Sequence, residues 1–312
     1  MIYLDTTGRC GNQMFQYAFA RKISLLNNNE EITVDFKWVY KYAKKRNEDS
    51  FRDELCNFKA ADHYTRIVDG TNKVYQFGDK KQLFVFRVYK KLKHLFQRIN
   101  GDKRIANKLM YRIMSHYGIY WYIAPLKLKK CKRKNKFIFG YFENPQYFCD
   151  IQEVLFDDFT PKYPLDESNN ELYRSIKEKV SVCVSFRKWI ESNAVVQDRE
   201  ICGKEYYQKA FKIMQERYSD CVFVIFSNEI EWVKEHFDLP QNCLFESGND
   251  PIYEKIRLMS GCNHFIISNS SFAWWVQFLG NAKNKTVISP GKWYNSEKKR
   301  DPLIIDDFIV IE

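Results

Sequence analysis

The sequence predicts an α/β protein of two domains, the second containing a doubly wound parallel sheet. The chain has 312 residues, more than one core of ~150 residues usually carries. In its second half, short apolar segments typical of buried strands alternate with segments of helical period. The composition excludes bulk disorder, because 45% of the residues are hydrophobic and 17% are aromatic, whereas disordered chains are poor in aromatic residues.

The first half begins with a strand, a glycine-containing turn and a helix. We predict a strand at Ile2–Thr6, a turn at Gly8–Gln13, a helix at Met14–Leu26, a strand at Glu31–Phe36, a polar stretch at 41–53, basic helices within 80–136, and a strand and turn at Phe137–Phe148. The proline-containing segment Phe159–Asn170 is the best candidate for a linker. The predicted domains are therefore residues 1–160 and 161–312.

The second half alternates strands and helices more regularly. The predicted strands are Val180–Phe186, Cys221–Ser227, Cys243–Ser247, His264–Asn269 and Lys285–Pro290, and the predicted helices are Lys204–Tyr218, Glu229–Phe237, Asp250–Cys262 and Ser270–Gly280. Strands separated by helices of this length are joined by right-handed parallel crossovers. This order predicts helices on both faces of an open parallel sheet.

The positive charge is concentrated in one region. The net charge is +11, but residues 80–136 contain 18 Lys and Arg against one acid, Asp102, which leaves a net charge of −6 for the rest. Apolar residues interleave with the cations at helical spacing, as in helices that lie on anionic membranes. We expect a peripheral membrane contact here. A solvated basic face and a nucleic-acid contact are the alternatives, and no nucleic-acid motif accompanies the charge.

The N-terminal segment and the spacing of the cysteines and histidines favour a cytoplasmic, metal-independent protein. The N-terminus runs directly into a strand without a basic and then apolar leader, and no stretch approaches the ~18 apolar residues of a membrane span. The nine cysteines contain no CxxC pair, which indicates reduced thiols. The five histidines form no HExxH spacing and there is no Asp-x-Asp. We therefore expect no metal or other cofactor.

Polar residues follow three of the predicted strands. Arg187 and Lys188 follow the first, Asn228 follows the second, and Asn269, Ser270 and Ser271 open a helix after the fourth. Ligands of open parallel sheets bind outside the carboxyl ends of the strands. Cations, hydroxyl groups and helix N-terminal N–H donors there predict an anion site for a phosphorylated ligand. The alternative is that Asn269–Ser271 only cap their helix.

Gly8 and Gly11 mark a second candidate loop. Glycines between a strand and a helix permit positive φ and close approach of a ligand. The segment matches neither G-x-G-x-x-G nor a P-loop. From spacing alone, a structural turn and a ligand loop are equally consistent with it.

Several motifs resemble the α-1,2-fucosyltransferases of glycosyltransferase family 11. GRCGNQMFQYAFARKIS (Gly8–Ser24) resembles the opening signature of that family. FIFGYFENPQYF, FVIFSNEIEWVKEHF, FIISNSSFAWWVQFLG and VISPGKWY resemble later motifs in the family's order. The matches extend from Met1 to about Tyr294.

One motif departs from the family pattern His-x-Arg-Arg-Gly-Asp-Tyr. Aligned on the strand, Ser185 replaces His, Arg187 keeps the first Arg, and Lys188 replaces the second. Trp189 and Ile190 stand where the family has Gly-Asp. The basic character is retained, while the His and the Asp are lost.

The resemblance implies a GT-B-like architecture, in which two Rossmann-like domains with parallel sheets face a central cleft. It implies an acceptor-side domain first and a nucleotide-sugar-binding domain second. The implied reaction is metal-independent, inverting transfer of L-fucose from GDP-β-L-fucose to a galactoside-type hydroxyl, forming an α-1,2 linkage in a surface polysaccharide or O-antigen. The acceptor would be a glycan, lipid-linked at the inner membrane face.

The candidate residues follow from the strand ends and from the resemblance. Arg187 is the candidate for stabilising the leaving diphosphate, because a guanidinium can bridge phosphate oxygens. Glu191 is a candidate catalytic acid or base, with Asp198 in the same loop as an alternative. The candidate donor-binding residues are Gly11, Asn12, Gln13, Ser185, Lys188, Ser227, Asn228, Asn269, Ser270, Ser271 and Phe272. Trp274 and Trp275 are expected to pack in the helix core.

Two rival functions stay open at this point. The changes at Ser185 and Lys188 are compatible with transfer of a different sugar. A non-catalytic protein that binds RNA or membranes through its basic region is the rival from another class.

Overall fold

A computed structural model describes residues 1–70, 73–189, 193–296 and 299–312. The chain divides into two compact units, Met1–Thr160 and Pro161–Glu312. Each unit is built around one all-parallel sheet with helices between its strands. The predicted fold class, α/β with two Rossmann-like parallel sheets, is confirmed.

The first unit has a five-stranded sheet. Its strands are β1 (Ile2–Asp5), β2 (Ile32–Asp35), β3 (Tyr64–Ile67), β4 (Ile119–Trp121) and β5 (Lys136–Phe139), and its helices are α1 (Cys10–Leu26), α2 (Lys37–Arg46), α3 (Lys73–Phe77), α4 (Lys80–Asn100), α5 (Arg104–His116) and α6 (Gln152–Asp158). The spatial order is β3-β2-β1-β5-β4. The chain therefore builds outward from β1 on one side, and then crosses to the other side of β1 for β4 and β5.

Helix α1 begins four residues earlier than the sequence predicts. It starts at Cys10, because the residue that turns the chain is Gly8, with φ +83, whereas Gly11 already lies in the first helical turn. The helix buries three aromatic side chains, Phe15, Tyr17 and Phe19, each 0% exposed. Their rings contact aromatic side chains of other segments of the first unit, among them Tyr64, Tyr120 and Phe159.

The basic region contains the two long helices that the sequence predicts. Asp79 and Gln82 form a capping box at the start of α4, and Gly101, with φ +68, ends the helix. One side of α4 and α5 packs with Ile119 and Phe137 of the sheet. The other side carries the cations together with exposed apolar side chains.

The second unit has a six-stranded sheet. Its elements are α7 (Asn170–Glu178), β6 (Ser181–Ser185), α8 (Asn193–Arg199), α9 (Lys204–Arg217), β7 (Val222–Phe226), α10 (Ile230–His236), β8 (Cys243–Phe245), α11 (Ile252–Ser260), β9 (His264–Ile266), α12 (Ser271–Leu279), β10 (Val287–Pro290) and β11 (Ile309–Ile311). The spatial order is β11-β10-β9-β6-β7-β8. The predicted doubly wound sheet is present, with its topological switch point between β6 and β9.

The core of the second unit explains why its strands are easy to recognise. Every residue of β6 is buried, and Val182 and Val184 are 0% exposed. Strand β6 lies between β7 and β9 with both faces covered, so a continuous run of β-branched residues is stable there. Helix α9 covers one face with Tyr207 and Phe211.

Several elements were not predicted from the sequence. The missed elements are the edge strand β3, the short strands β4 and β11, and the helices α2, α3, α6, α7 and α8; α2 (Lys37–Arg46) overlaps the predicted polar stretch 41–53. Strand β3 has the burial pattern of a half-exposed edge and contains Arg66, so it lacks an apolar run. Among the described residues, no helix is long and apolar enough to span a membrane.

We expect Asp158 to be a stability determinant of the first unit. Its carboxylate, 1% exposed, accepts hydrogen bonds from Tyr17 Oη and Arg21 Nε, both at 2.9 Å, and lies 3.1 Å from His63 Nε2. Asp158→Asn should lower the free energy of unfolding by about 3–5 kcal/mol, because Arg21 then loses its buried counter-charge. Urea denaturation followed by circular dichroism measures this.

The neighbouring residue supplies the control. Asp157 pairs with Lys59 at 2.6 Å, but both side chains are about half exposed or more, so Asp157→Asn should cost less than about 1 kcal/mol. Equal losses in the two variants would show that burial of the Asp158 cluster contributes nothing.

Candidate active site

The carboxyl ends of three adjacent strands meet at one edge of the second sheet. Strand β6 pairs with β7 on one side and with β9 on the other. Ser185 Oγ lies 3.5 Å from Ser268 Oγ, so the ends of β6 and β9 are in direct contact. The structure thus brings together the strand ends that the sequence singled out, at the switch point where open α/β sheets bind ligands.

The loop after β6 is held against the loop after β7. Lys188 N donates to Asn228 Oδ1 at 3.0 Å, and Asn228 Nδ2 donates to Lys188 O at 3.1 Å. The Lys188 ammonium lies 5.1 Å from the ring centroid of Trp232 in α10. Ser227 Oγ accepts a hydrogen bond from Glu229 N at 3.0 Å. Asn228 and Ser227 therefore use these groups to fix loops of the site.

Two guanidinium groups stack on the same indole ring. The Cζ of Arg187 is 5.1 Å from the ring centroid of Trp189, and the Cζ of Arg199 is 4.9 Å from it. Arg199 lies at the end of α8 and was not predicted as a site residue. Its only sequence signal is a basic residue in the last turn of a short helix. A cation over an indole face is stabilised and oriented, so Trp189 holds two positive charges near the β6 loop.

The start of α12 supplies hydroxyl and N–H groups. Ser270 is the N-cap residue, with extended backbone at φ −129 and ψ 130, yet its hydroxyl caps none of the described N–H groups of that helix. The Ser270 side chain thus contributes no N-cap hydrogen bond to this helix. Ser270, Ser271 and Phe272 are half-buried. The first N–H groups of a helix lack intrahelical partners and carry the positive end of its dipole.

Asn269 ties two segments to this helix start. It is 3% exposed, and its Nδ2 donates to Arg199 O at 2.8 Å and to Trp293 O at 2.9 Å. Both amide hydrogens are thus used within the protein. Burial raises the pKa of the Cys202 thiol to about 12, and its Sγ lies 3.7 Å from Asn269 Oδ1. Asn269 positions the site rather than offering its amide to a ligand.

Trp274 and Trp275 pack in the core, as predicted. They are 1% and 0% exposed. Trp274 Nε1 donates to Leu303 O at 3.0 Å. Phe272 is the aromatic residue of this motif that stays partly accessible.

Of the two acidic candidates that follow Arg187, Glu191 and Asp198, the structure describes only Asp198. Glu191 lies outside the described residues. The Asp198 carboxylate accepts a hydrogen bond from Ser296 N at 2.8 Å, and its backbone oxygen accepts one from Asn295 N at 2.8 Å. Asp198 therefore holds the C-terminal segment against α8.

A second set of groups lies at the switch point of the first sheet, between β1 and β5. Gln13 is buried, and its amide donates to Gly8 O and Arg52 O and accepts from Glu54 N at 3.0, 2.7 and 3.0 Å respectively. Gln13 thus joins the loop after β1 to the 52–54 segment. Gly11 has no positive φ and lies in the helix.

Asn12 contacts a carboxylate that the sequence did not single out. Its Nδ2 donates to Glu143 Oε1 at 2.7 Å. Glu143 is half-buried and follows β5 by four residues. Its only signal in the sequence is its place within the FENPQYF motif.

Asp5, at the end of β1, is the most perturbed acid of this edge. Burial, together with the nearby charge of Asp35, raises its pKa to about 7, against an opposing effect of Lys73. Lys73 Nζ bridges Asp35 and Asp69 at 3.1 and 2.7 Å. Asp35 and Lys73 form a buried ion pair beneath the edge, whereas Asp5 Oδ1 is buried without a hydrogen-bond partner among the described residues.

A pocket of about 500 Å³ lies in the second unit beside the ends of β10 and β11. It is lined by Ile201, Gly203, Lys204, Glu205, Tyr206, Lys209, Pro290, Gly291, Lys292, Ile311 and Glu312. None of the predicted site residues lines it, so the pocket is separate from the β6–β9 switch point. Within the described residues, no group of three or more His, Cys, Asp or Glu side chains could hold a metal ion.

Comparisons with known proteins identify the family. The family model described as glycosyl transferase family 11 matches residues 1–305. An α-1,2-colitosyltransferase of Escherichia coli is 26% identical over 96% of this chain and 94% of its own. The O-antigen biosynthesis glycosyltransferase WbnK of Escherichia coli is 24% identical over 99% of both chains. The crystal structure of the fucosyltransferase NodZ from Bradyrhizobium aligns with a TM-score of 0.48 and 11% identity, over 89% of this chain and 92% of that one.

The match over nearly the whole chain, together with the motifs at both switch points, leads to one conclusion: the protein belongs to glycosyl transferase family 11 and is a glycosyltransferase.

Proposed function

We propose that this glycosyltransferase moves L-fucose from GDP-β-L-fucose to a galactoside-type hydroxyl, with inversion, in the synthesis of an O-antigen or similar surface polysaccharide. The observation that carries the proposal is the start of α12 at the β6–β9 switch point, where the Ser270 hydroxyl does not cap its helix. A helix N-terminus with hydroxyl groups suits the diphosphate of a nucleotide sugar, and the hydrogen bond from Asn269 Nδ2 to Arg199 O joins this helix start to the segment that carries Arg199. The names of the two Escherichia coli relatives support the same class of reaction.

The chemistry requires stabilisation of the leaving group. The acceptor oxygen forms a bond to the anomeric carbon as the bond from that carbon to the phosphate oxygen breaks, and the electron pair leaves with GDP. Arg187, oriented by Trp189, would bind the diphosphate as its negative charge grows. Arg199, whose Cζ lies 4.9 Å from the centroid of the same ring, would add a second positive charge.

The reaction is proposed to be metal-independent because the chain itself supplies cations for the diphosphate. Arg187 and Arg199 share the Trp189 ring, and the dipole of α12 adds partial positive charge at its first turn. Such fixed donors act without reorganisation when charge develops.

Colitose is the second candidate sugar. Colitose is fucose without its 3-hydroxyl group, and a relative that covers 96% of this chain is named as a colitosyltransferase. Ser185 stands where the family has His, and its hydroxyl is directed to Ser268. A donor site that lacks the larger polar side chain is compatible with either sugar.

A panel of nucleotide sugars tests the donor. We expect release of GDP from GDP-β-L-fucose in the presence of a β-galactoside such as lactose, and NMR of the product should show an α-1,2 linkage. Arg187→Ala should reduce this turnover by roughly 10²–10³, the loss typical of one preorganised donor. Arg174→Ala supplies the control, because Arg174 is an exposed cation of α7, before β6.

If the enzyme turns over only the colitose donor, the transferred sugar is colitose and not fucose. Release of nucleotide from none of the sugars, or equal turnover in the Arg187 and control variants, would contradict the proposed site.

Replacement of Ser270 distinguishes a role in ligand binding from a role in helix capping. Removal of a true N-cap costs about 0.5–2 kcal/mol of stability, whereas Ser270 makes no such cap bond. Ser270→Ala should therefore leave the melting temperature of the ligand-free protein unchanged and reduce the shift induced by GDP. Differential scanning fluorimetry with and without GDP measures both. A lower ligand-free melting temperature with an unchanged GDP shift would show a capping role instead.

We further propose that the enzyme works at the cytoplasmic face of the membrane, on a lipid-linked acceptor. In α4 the apolar residues Phe84, Val88, Leu95 and Ile99 follow at intervals that place them on one side of the helix. Phe84 and Ile99 are each 67% exposed. In α5, Leu109 is 57% exposed.

The charge of these helices fits an anionic bilayer. Lysines and arginines of the 80–136 region flank the exposed apolar side chains. Each cation near an anionic surface contributes about 1 kcal/mol, and apolar side chains that reach the acyl boundary add to this.

Vesicle co-sedimentation tests the membrane contact. The protein should bind vesicles of phosphatidylcholine with phosphatidylglycerol, bind pure phosphatidylcholine weakly, and lose most binding when Phe84 and Ile99 are both replaced by Ser. Val180→Ser, at a 41% exposed position of the second unit, is the control. Salt-sensitive binding of RNA without binding to vesicles would favour the nucleic-acid alternative.

A further inference from the structure

Helix α2 is basic and aromatic and has little buried surface. Its sequence, KWVYKYAKKR, contains five cations and three aromatic residues but no acid. Within this fully described helix, Val39 alone is buried. Tyr40 and Tyr42 are 36% and 38% exposed, and Trp38 is half-buried. Packing in the core therefore does not account for the aromatic residues of α2.

Both ends of α2 are tied to loops at the carboxyl edge of the first sheet. At its start, Lys37 N donates to Asp35 Oδ1 at the end of β2, at 3.0 Å, and Lys37 Nζ donates to Asp69 O beyond the end of β3, at 2.9 Å. After the helix, Ser50 Oγ accepts from Nε of Arg9, the N-cap residue of α1, at 2.8 Å. Helix α2 therefore lies at this edge between the loops after β3 and β1, on the side of β1 opposite to β5. Ligands of open parallel sheets bind at such edges.

One side of α2 combines cations with aromatic rings. Trp38, Lys41, Tyr42 and Lys45 follow at intervals of three and four residues, which places them on one side of the helix. We call these four residues the α2 face. Lys41 Nζ lies 4.7 Å from the ring centroid of Trp38, a contact that orients the ammonium group. The Tyr42 ring packs beside the buried Phe51, with 6.3 Å between the centroids.

The charge of the α2 face is not neutralised by the acids that follow the helix. Each acid of the segment 47–54 interacts with an arginine outside α2: Glu48 with Arg9, Asp53 with Arg66, and Glu54 and, to a smaller extent, Asp49 with Arg52. Lys41 and Lys45 are exposed and have no ion pair or hydrogen bond within the described part of the chain. The α2 face therefore favours an anionic ligand.

The composition of the α2 face fits an acidic sugar chain better than a bilayer. Tyrosine and tryptophan combine a flat apolar ring with a polar group that hydrogen-bonds hydroxyl groups, and ammonium groups attract carboxylates. Side chains that reach the acyl chains of a membrane are present in α4, where Phe84 and Ile99 are each 67% exposed. Helix α2 contains no Leu, Ile, Met or Phe. Its aromatic rings and cations thus match the two parts of a uronic acid, the ring and the carboxylate.

We propose that the α2 face binds acidic sugar residues of the acceptor glycan, so that the enzyme acts on an acidic polysaccharide. Lys41 and Lys45 attract the carboxylates, and Trp38 and Tyr42 contact the sugar rings. The inference rests on the proposed function, because it names the class of acceptor for the same reaction.

Isothermal titration calorimetry of the full chain with trigalacturonic acid and with its methyl ester tests the inference without turnover. The two ligands differ in charge but share the sugar rings. The wild type should bind the acid more tightly than the ester, and added sodium chloride should weaken the acid alone, because salt screens exposed charges. Equal affinities for acid and ester, or binding of neither, would overturn the inference.

Replacement of two lysines locates the binding surface. Lys41→Ala combined with Lys45→Ala should weaken the acid about tenfold, as expected for two exposed charge pairs, and arginine at both positions should retain binding. Lys209→Ala combined with Lys212→Ala is the matched control, because these are exposed cations one turn apart in α9. Equal losses in the two double variants would show unspecific attraction and contradict a site at α2.

Replacement of Tyr42 tests the ring contact. Tyr42→Ala should weaken the acid and the ester by the same factor, because the ring carries no charge. Affinities equal to those of the wild type would remove the aromatic part of the proposal.

Two further measurements separate the inference from its rivals. If the Lys41 and Lys45 double variant loses binding to anionic vesicles but keeps its affinity for trigalacturonic acid, α2 contacts the membrane and the inference is wrong. Absence of a GDP-induced melting shift in a wild type that binds the acid through α2 contradicts the donor site instead.

Discussion

The site geometry depends on one topological constraint. In each sheet the order of the strands reverses beside the first strand, so that later strands are added on its other side. Strand β6 has β7 on one side and β9 on the other, and β1 has β2 and β5 in the same way. In the second sheet, right-handed crossovers place the connection from β6 to β7 and the connection from β9 to β10 on opposite faces, so the loops that follow β6 and β9 diverge. Each crevice then exposes a helix N-terminus, at α12 in one unit and α1 in the other.

At both switch points, the buried side-chain amides differ from the half-buried polar side chains in exposure and in hydrogen bonding. Gln13 and Asn269 are 0% and 3% exposed, and their side-chain hydrogen bonds go to backbone groups of neighbouring segments. Buried polar groups need such partners, because unpaired ones cost stability. Ser270 and Glu143 are half-buried at the same edges. The amides thus fix the shape of the loops.

The charges of the two switch points differ in sign. In the second unit, Arg187 and Arg199 flank Trp189, which favours a polyanionic ligand. In the first unit, Glu143 accepts a hydrogen bond from Asn12. Family membership assigns glycosyl transfer to the chain.

The sequence by itself determined the parallel α/β class, the buried strands and the motifs. Buried strands such as Ser181–Ser185 need apolar runs, and a glycine such as Gly8 permits the positive φ of its turn. The sequence could not determine β3, whose edge position is compatible with Arg66, or the role of Asn269, whose residue type suits a cap and a loop tie equally well. Only the tertiary structure decided that Arg199 joins Arg187 and that Glu143 meets Asn12, since these contacts join residues 12 and 131 positions apart. Side-chain partners separated in this way are set by strand order, which local patterns do not encode.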